Sequence, residues 1–345
     1  MKPNLIILII TFFLFTSHSE AQTTFRTLFY NVENLFDTED NPEKADDEFT
    51  PEGVRHWTKK RYWTKIKNIA QVIISTGEWN YPALIGMCEI ENDKVLKDLT
   101  RYSPLKHANY QYILTQSPDL RGINIALLYQ RDQFKYLQHT AIRLYFPHDK
   151  EKKTRDILHV SGIIITQDTL DIFLCHFPSR RGGELQSEAD RMYTADILRK
   201  NVDSLFQVRK NANIIIMGDF NDEPSDKSIS SSLKAYYPIY PFNHTDLYNL
   251  FLPLSKKSKI GSYKYQDEWN LLDQIIVSGN LLNQERNFFV DSKSTQIFQA
   301  DFLLTSDKAY SGRRPKKSYH GYKYEGGFSD HLPVMVDFRI KKNNK

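Results

Sequence analysis

Apolar and polar positions along the chain follow two different periods. Segments that alternate, or that are apolar throughout, predict strands, whereas apolar residues three and four positions apart predict helices. The predicted strands are 24–31, 83–89, 110–115, 122–129, 156–166, 169–177, 213–218, 271–278 and 332–340, and the predicted helices are 58–74 and 184–209. Because strands and helices follow one another throughout, the pattern favours a layered α/β or α+β architecture.

Each predicted helix has one apolar face, which should pack on a sheet. The face of the first is Tyr62, Ile66, Ile69 and Ile73, and that of the second is Leu185, Ala189, Met192, Leu198, Val202 and Leu205. Gln167 and Asp168 separate two strand-like runs, which predicts a hairpin at that point. The acidic stretch 37–53 is typical of a loop, and the tyrosine-rich region 236–265 fits neither period.

Polar side chains stand at the ends of the apolar strands. They are Asn31 and Glu33, Glu89, His176, Asp219 and Asn221, and Asp330 with His331, while Asp273 lies inside the strand 271–278. Side chains alternate along a strand, so Asp219 and Asn221 point the same way where that strand leaves the core. Each residue taken alone also fits a turn, a cap or a surface role, but ligand sites in α/β sheets lie at such strand ends.

Carboxylate and amide oxygens without a nearby thiolate suit Mg²⁺ or Mn²⁺ rather than zinc. The two histidines can move protons near neutral pH or stabilise charge in a transition state. Asp273 has Leu272 and Ile275 beside it, and a carboxylate buried there is costly without a partner. An imidazole is the natural partner, and it belongs to His331 or His176.

Composition is that of a globular protein. The 345 residues are 40% hydrophobic, and 46 Lys and Arg stand against 42 Asp and Glu, for a net charge of +4. That charge is too mild to establish a polyanionic partner. Only two cysteines occur, Cys88 and Cys175, each inside an apolar run, so we expect buried free thiols rather than a disulfide framework.

The amino terminus has the pattern of a signal peptide. Lys2 precedes a short apolar stretch, and a small residue, Ala21, ends the polar region that follows. We therefore expect residues 1–21 to be removed and the protein to be exported, either periplasmic or secreted. Residues 22–345 would then form one catalytic domain without a transmembrane segment, and we expect a monomer.

In order along the chain, the motifs YNVENLFD, IGMCEIEN, HFPSR, GDFND, LLDQIIVS and GGFSDHLPV resemble the endonuclease/exonuclease/phosphatase superfamily, in its exported bacterial branch. The resemblance implies a four-layer α-β-β-α sandwich, in which two mixed β-sheets pack face to face with helices outside. It also implies metal-dependent hydrolysis of a phosphate ester by in-line attack of water, with one or two ions.

The resemblance also implies individual roles. Glu89 would be the principal metal ligand, with Asn31, Glu33 and Asp330 near the metal. Asp219 would deprotonate the attacking water, and Asn221 would hold that water or a phosphate oxygen. His331, oriented by Asp273, would contact the scissile phosphate, and His176 would stabilise the transition state. Ser179 and Arg180 would hold a phosphate or belong to a loop before the second helix. Glu33 departs from the Asp of abasic-site endonucleases, which makes its role the least defined.

Membership defines the chemistry better than the substrate. A phosphodiester of nucleic acid is the leading hypothesis, because 312–323 is basic with interleaved aromatic residues. A lipid head group is the alternative, since the aromatic stretch 235–254 could face a membrane. Inositol or sugar phosphates are a further alternative. An inactive binding protein is disfavoured because Glu89, Asp219 and His331 are all present.

Overall fold

A computed structural model describes residues 23–77, 80–255 and 261–341. The predicted signal peptide, residues 1–21, lies outside the described residues. Four α-helices occur in the described parts of the chain: α1 (Lys59–Thr76), α2 (Asp93–Lys97), α3 (Glu184–Val208) and α4 (Leu252–Ser255). No helix among them combines the length and the apolar character that crossing a membrane requires.

The strands of the described residues fall into two groups along the chain. The first group is β1 (Thr23–Leu35), β2 (Leu84–Ile90), β3 (Gln111–Leu114), β4 (Asn124–Tyr129), β5 (Phe134–Ile142), β6 (Ile157–Ile164), β7 (Thr169–His176) and β8 (Asn213–Asp219). The second group is β9 (Ala235–Tyr236), β10 (Leu247–Asn249), β11 (Tyr263–Tyr265), β12 (Glu268–Asn270), β13 (Asp273–Ser278), β14 (Phe288–Val290), β15 (Gln296–Ile297), β16 (Leu304–Ser306), β17 (Arg313–Pro315), β18 (Tyr319–His320), β19 (Lys323–Tyr324) and β20 (Val334–Ile340).

Two seven-stranded mixed sheets dominate the fold. Sheet A has the order β14-β20-β1-β2-β4-β3, with β15 also paired to β20, and sheet B has the order β5-β6-β7-β8-β13-β10-β9. Each sheet contains a parallel pair near its centre, β1 with β2 and β7 with β8, and sheet B has a second parallel pair at its edge, β9 with β10. The remaining pairs of short strands form three two-stranded ladders, β11-β12, β16-β17 and β18-β19.

The main core lies between the two sheets. Inward residues of both sheets share one buried cluster, which includes Phe29, Leu127, Leu174 and Met217. Gly86 of β2 permits close approach, since a Cβ there would lie 2.5 Å from a side-chain carbon of Leu174. The sheets therefore pack face to face, as the sequence predicts.

Helices cover the outer faces of both sheets. The predicted face of α1, formed by Tyr62, Ile66, Ile69 and Ile73, is completely or almost completely buried against sheet A. The helix begins where Thr58 accepts a hydrogen bond from the backbone of Arg61. Helix α3 covers sheet B in the same way through Leu198 and Val202. The order helix, sheet, sheet, helix confirms the four-layer sandwich.

The predicted face of α3 is wrong in its first two turns. Leu185 is 78% exposed, and the buried side of this part carries Asp190 and Arg191 instead. Nε of Arg191 lies 2.7 Å from Oδ1 of Asp222, so a buried ion pair takes the place of apolar contacts. Apolar periodicity cannot reveal a face that is held by such a pair.

Other details differ from the pattern. Strand β5 was not predicted because it is an edge strand with mostly exposed residues. Both thiols are free and fully buried, as expected. Cys88 lies between the sheets, whereas Cys175 lies between sheet B and α3.

Candidate active site

The polar groups at the strand ends meet at one end of the sandwich. In sheet B, parallel pairing sets His176 of β7 opposite Asp219 of β8, and antiparallel pairing sets Asp219 opposite Asp273 of β13. In sheet A, parallel pairing brings Asn31 of β1 level with the end of β2, where Glu89 stands. Strand register alone therefore gathers side chains from distant parts of the chain.

Asp219 lies at the centre of the group. Its Oδ2 accepts a hydrogen bond from Nδ2 of Asn31 at 3.0 Å and lies 3.7 Å from Nε2 of both His176 and His331. Its Oδ1 accepts a hydrogen bond of 2.9 Å from the backbone N–H of Asn221. One carboxylate thus faces two imidazoles and an amide.

The environment of Asp219 changes its acidity. Burial raises the pKa of this carboxyl to about 7, and the charge of Asp273 adds to the rise, while the imidazolium of His331 opposes it. A carboxylate with a pKa near neutrality is well matched to accept a proton from water at physiological pH.

His331 pairs with Asp273. Its Nδ1 lies 2.6 Å from Oδ2 of Asp273, whose side chain is completely buried. Burial alone would lower the pKa of His331, but the charges of Asp273 and Asp219 outweigh it and raise this pKa well above its usual range. With Nδ1 held by Asp273, Nε2 points towards Asp219. The ring also packs against Tyr263, with centroids 4.8 Å apart.

His176 has the opposite character. Burial lowers its pKa well below the usual range, and the charges of Arg155 and Arg121 lower it further. Its Nδ1 is buried and has no hydrogen-bond partner within the described parts of the chain. At neutral pH this ring is uncharged, so the site contains one neutral and one charged imidazole around Asp219.

Glu89 is directed into the site by an irregular backbone. The pairing of β2 with β4 shifts register beside Glu89, whose φ is +64°, and that of β1 with β2 shifts after Asn31. Oε2 of Glu89 accepts a 2.8 Å hydrogen bond from the backbone of Asn34, and Oε1 lies 4.0 Å from Nε2 of His176. Left-handed φ values at Glu89 and Asn34 are uncommon for such residues and cluster here at the site.

Glu33 faces a buried lysine. Its Oε2 lies 3.2 Å from Nζ of Lys65 and accepts a 2.8 Å hydrogen bond from the backbone of Ser318. Nζ of Lys65 also donates to Oγ of Ser318 and to the carbonyl of Phe328, at 2.8 and 2.6 Å. The Glu33 carboxylate is thus already paired with a lysine. This pairing distinguishes Glu33 from Glu89, the residue expected to be the principal metal ligand. Asp330 follows Phe328 closely, and burial together with the Glu33 charge raises its pKa.

Arg180 is occupied by protein acceptors. Its guanidinium lies 3.0 Å from Asp226 and 3.3 Å from Glu184, and its Nε donates to the carbonyl of Asn221 at 2.7 Å. The amide of Asn221 in turn donates to the carbonyl of Phe177. Arg180 and Asn221 therefore hold the loop after β8 in place, and Ser179 beside them is exposed.

The chain matches the Endonuclease/Exonuclease/phosphatase family over residues 27–340, which is most of its length. The chain belongs to this family. No curated protein matches the chain in sequence.

Solved structures share the family fold with this chain. One from Bacteroides thetaiotaomicron, described as an endonuclease/exonuclease/phosphatase family protein, is 16% identical with a TM-score of 0.55, covering 93% of this chain and 99% of that one. A humanized D. rerio TDP2 is 14% identical with a TM-score of 0.56, covering 91% and 98%. A mannosyl-6-phosphatase of Bacteroides thetaiotaomicron is 18% identical with a TM-score of 0.54, covering 91% and 99%.

The donor atoms of this family member fit a hard divalent cation. The carboxylates of Glu89 and Asp219 converge at the strand ends, where Nδ2 of Asn31 lies 3.5 Å from Oε1 of Glu89 and 3.0 Å from Oδ2 of Asp219. Ligand atoms of Cys88, His176 and Asp219 lie within 4.8 Å of one another. Burial raises the pKa of Cys88 well above its usual range, so its sulfur is a protonated thiol and a poor ligand. The oxygen set suits Mg²⁺ or Mn²⁺.

Three residues of the site were not predicted. Lys65 lies on the otherwise apolar face of α1, and a lysine on such a face is the signal that could have found it. Arg155 donates to Asp119 at 3.2 Å and lowers the pKa of His176 from outside any motif. Tyr263 lies in the region that fits neither period, and it reaches His331 through a bridge between short segments.

Proposed function

We propose that this protein is an exported, Mg²⁺-dependent phosphodiesterase that acts by in-line attack of water, with nucleic acid as its substrate. The observation that carries the proposal is the position of Asp219. Its Oδ2 lies 3.7 Å from the Nε2 atoms of a neutral and a charged imidazole, those of His176 and His331.

Asp219, His331 and His176 have different roles in the proposed reaction. Asp219, with a pKa of about 7, accepts the proton of the attacking water. The His331 imidazolium, held by Asp273, faces the negative charge that develops on the phosphoryl oxygens. His176 offers a neutral imidazole at Nε2, which can donate a hydrogen bond without adding charge. A divalent ion bound by Glu89 and Asn31 would supply electrostatic stabilisation of the phosphoryl oxygens.

Relatives of known description act on different phosphate esters, so family membership leaves the substrate open. The basic segment 312–323 supports a polyanion, since it lies immediately before the loop that carries Asp330 and His331.

The aromatic region does not favour a lipid substrate. Its exposed residues include Ile239 and Tyr240, 66% and 81% exposed, and Tyr240 lines a cavity together with Gly279 and Asn280. Gly279 and Asn280 follow the last residue of β13, whereas Asp273 is its first residue. Five residues of strand, about 17 Å, separate the two ends. An apolar surface there is poorly placed to present a membrane lipid to Asp219.

The test is hydrolysis of four substrates by the purified protein, with Mg²⁺ and with chelator. They are bis-p-nitrophenyl phosphate, p-nitrophenyl phosphate, plasmid DNA and sphingomyelin. We expect Mg²⁺-dependent turnover of the diester and nicking of the plasmid, both lost in Asp219→Asn. Turnover of the monoester or of sphingomyelin with an intact plasmid would replace the nuclease by a phosphatase or a lipid phosphodiesterase. Silence on all four would favour the inactive binding protein.

Export has a separate test. Full-length protein and a variant lacking residues 2–21, each with a carboxyl-terminal tag, would be followed by cell fractionation. We expect the full-length protein outside the cytoplasm and processed after Ala21, as a monomer by light scattering. Retention of the full-length protein in the cytoplasm would contradict the proposed localisation.

A further inference from the structure

A basic cavity lies in the segment that precedes the loop of Asp330 and His331. It has a volume of about 500 Å³, and residues of the segment 305–325 line it. This size is within the range of ordinary ligand sites. The ladders β16-β17 and β18-β19 form its walls, and its charged or ionisable side chains are Lys308, Arg314, Lys316, His320, Lys323 and Glu325, with Asp307 at the edge.

The charges of this cavity are only partly compensated. Glu325 pairs with Arg314, whose Nη2 lies 2.9 and 2.8 Å from the two carboxylate oxygens of Glu325. Asp307 pairs with Lys264, whose Nζ lies 3.0 Å from Oδ2 of Asp307. The three remaining ammonium groups, those of Lys308, Lys316 and Lys323, have no carboxylate partner among the described residues. A concave site with three uncompensated cations attracts an anion.

Lys316 is the most informative of the three. Its side chain is half-buried, although a lysine without a partner ordinarily extends into water. A half-buried lysine that lines a cavity and lacks a carboxylate partner among the described residues is therefore a residue that a ligand anion would stabilise. Lys308 and Lys323 are exposed and add charge at the rim.

The cavity and the catalytic loop share one stretch of backbone. The N–H of Phe328 donates to the carbonyl of Lys316 at 2.6 Å, and the N–H of Gly327 donates to that of Lys317 at 3.1 Å. Asp330 comes two residues after Phe328. One strand spacing and two residues of chain place the backbone of Lys316 within roughly 12 Å of Asp330. A nucleic-acid strand of a few nucleotides spans that distance.

Exposed tyrosines stand on the same segments. Tyr322 is 73% exposed beside the cavity, and Tyr265 and Tyr310 are 62% and 42% exposed. The N–H of Ser311, next to Tyr310, donates to Asp267, which joins the loop before β17 to the β11-β12 hairpin. That hairpin begins at Tyr263, the ring that packs on His331. Exposed rings between cationic side chains are the surface on which unpaired bases stack.

We propose that the Lys316 cavity binds a backbone phosphate of a single-stranded nucleic acid, a few nucleotides from the scissile bond, and that the exposed tyrosines stack its bases. The inference rests on the proposed phosphodiesterase activity and names its substrate class. The residues that line the cavity are all different from those that surround Asp219, so a ligand that engages both places at once carries more than one phosphate. The exposed rings favour a nucleic-acid strand over a phospholipid.

Binding is measured by fluorescence anisotropy of a labelled twelve-nucleotide DNA strand, in chelator to prevent cleavage. We expect Lys316→Gln/Lys323→Gln to raise the Kd about tenfold. Because each phosphate contact on a single strand contributes about 0.7 to the salt slope, and the cavity is proposed to bind one phosphate, the double variant should lower that slope by about 0.7. Tyr265→Ala/Tyr322→Ala should weaken binding at least fivefold, since stacking is worth about 1–3 kcal/mol per base.

The matched control is Lys200→Gln/Lys210→Gln, which removes two exposed lysines near the end of α3 that leads into the start of β8. This control should bind like wild type. Equal affinity of the Lys316→Gln/Lys323→Gln variant and wild type would overturn the inference. Loss of binding to phosphatidylglycerol vesicles, with unchanged DNA binding, would overturn it in favour of a lipid surface.

Hydrolysis of bis-p-nitrophenyl phosphate separates the two proposals. This small diester needs only the central site, so the Lys316→Gln/Lys323→Gln variant should retain kcat/KM within about twofold of wild type. Loss of this turnover in the variant would overturn the assignment of Lys316 to a separate subsite. Absence of turnover in wild type would instead contradict the phosphodiesterase itself.

Discussion

Nδ1 of His331 lies 2.6 Å from Oδ2 of Asp273, a carboxylate with no exposed surface. A buried carboxylate that binds one imidazole nitrogen determines where the other nitrogen points and which tautomer is present. Nε2 of His331 is consequently turned towards Asp219, and the charge of Asp273 keeps the ring protonated.

Asp273→Asn tests this arrangement. We expect kcat for bis-p-nitrophenyl phosphate to fall about 10²–10⁴-fold, because the neutral amide neither holds the imidazolium nor fixes its orientation. The melting temperature should remain close to that of wild type. The matched control Asp267→Asn removes an exposed carboxylate on the adjacent hairpin and should leave kcat unchanged. Wild-type kcat in Asp273→Asn would exclude this role.

The pH dependence of turnover should report Asp219. Burial raises its pKa to about 7, and only the deprotonated form can accept a proton. The value of kcat/KM should therefore rise about tenfold per pH unit below that pH and level off above it. His176→Asn should keep the same acid limb, since burial keeps His176 neutral. A flat wild-type profile between pH 5.5 and 8 would contradict the assignment.

Metal binding should depend on Glu89. Glu89→Gln replaces one carboxylate oxygen by an amide group, so we expect Mn²⁺ affinity measured by calorimetry to fall at least tenfold. Glu184→Gln is the matched control, because Glu184 belongs to an acidic cluster in which the guanidinium of Arg180 already lies. Equal losses in both variants would show that Glu89 is not a specific ligand.

Lys65 should be important for stability. Lys65→Met leaves the carboxylate of Glu33 buried without its cation, which we expect to cost about 3–5 kcal/mol of unfolding free energy in urea. The double variant Glu33→Gln/Lys65→Met removes both charges and should recover part of that loss. A double variant less stable than Lys65→Met would indicate that packing, rather than charge, dominates at this position.

Stability should also depend on pH through Glu91. Burial raises the pKa of Glu91 to about 8, and the carboxylate of Asp37 adds to the rise. Between the ordinary pKa near 4.5 and about 8, the folded state holds a proton that the unfolded state has lost, so stability falls as pH rises. The unfolding free energy of Glu91→Gln, measured relative to that of wild type, should therefore be higher at pH 8.5 than at pH 5, by on the order of 2 kcal/mol. The same difference in unfolding free energy between the two proteins at both pH values, measured by urea denaturation, would refute this.

Periodicity predicts a layered architecture, and the position of each motif at a strand end predicts a site there. The four layers themselves are implied by the family resemblance. Burial arguments leave the partner of Asp273 open between two histidines, since the choice depends on how β13 lies against the loop before β20. The family resemblance implies His331, and the structure pairs Asp273 with His331.

The surroundings of Glu33 could not be predicted either. Its backbone adopts a left-handed φ of +51°, which a non-glycine residue does not signal in sequence. Its partner Lys65 lies on a helix that periodicity describes as apolar, and Ser318 lies nearly three hundred residues away. The roles of the site residues stay predictions until the variants above are measured.

The first strand of the described chain pairs with the last. Phe25 of β1 lies opposite Phe338 of β20, and Asn31 at the end of β1 belongs to the same site as His331 just before β20. During synthesis, therefore, the amino-terminal residues of the site emerge long before the residues with which they form the site. A chain interrupted anywhere before residue 331 lacks an imidazole of the site as well as the strand that completes the centre of its sheet. The complete set of site residues is therefore present only once β20 and the loop before it have been synthesised.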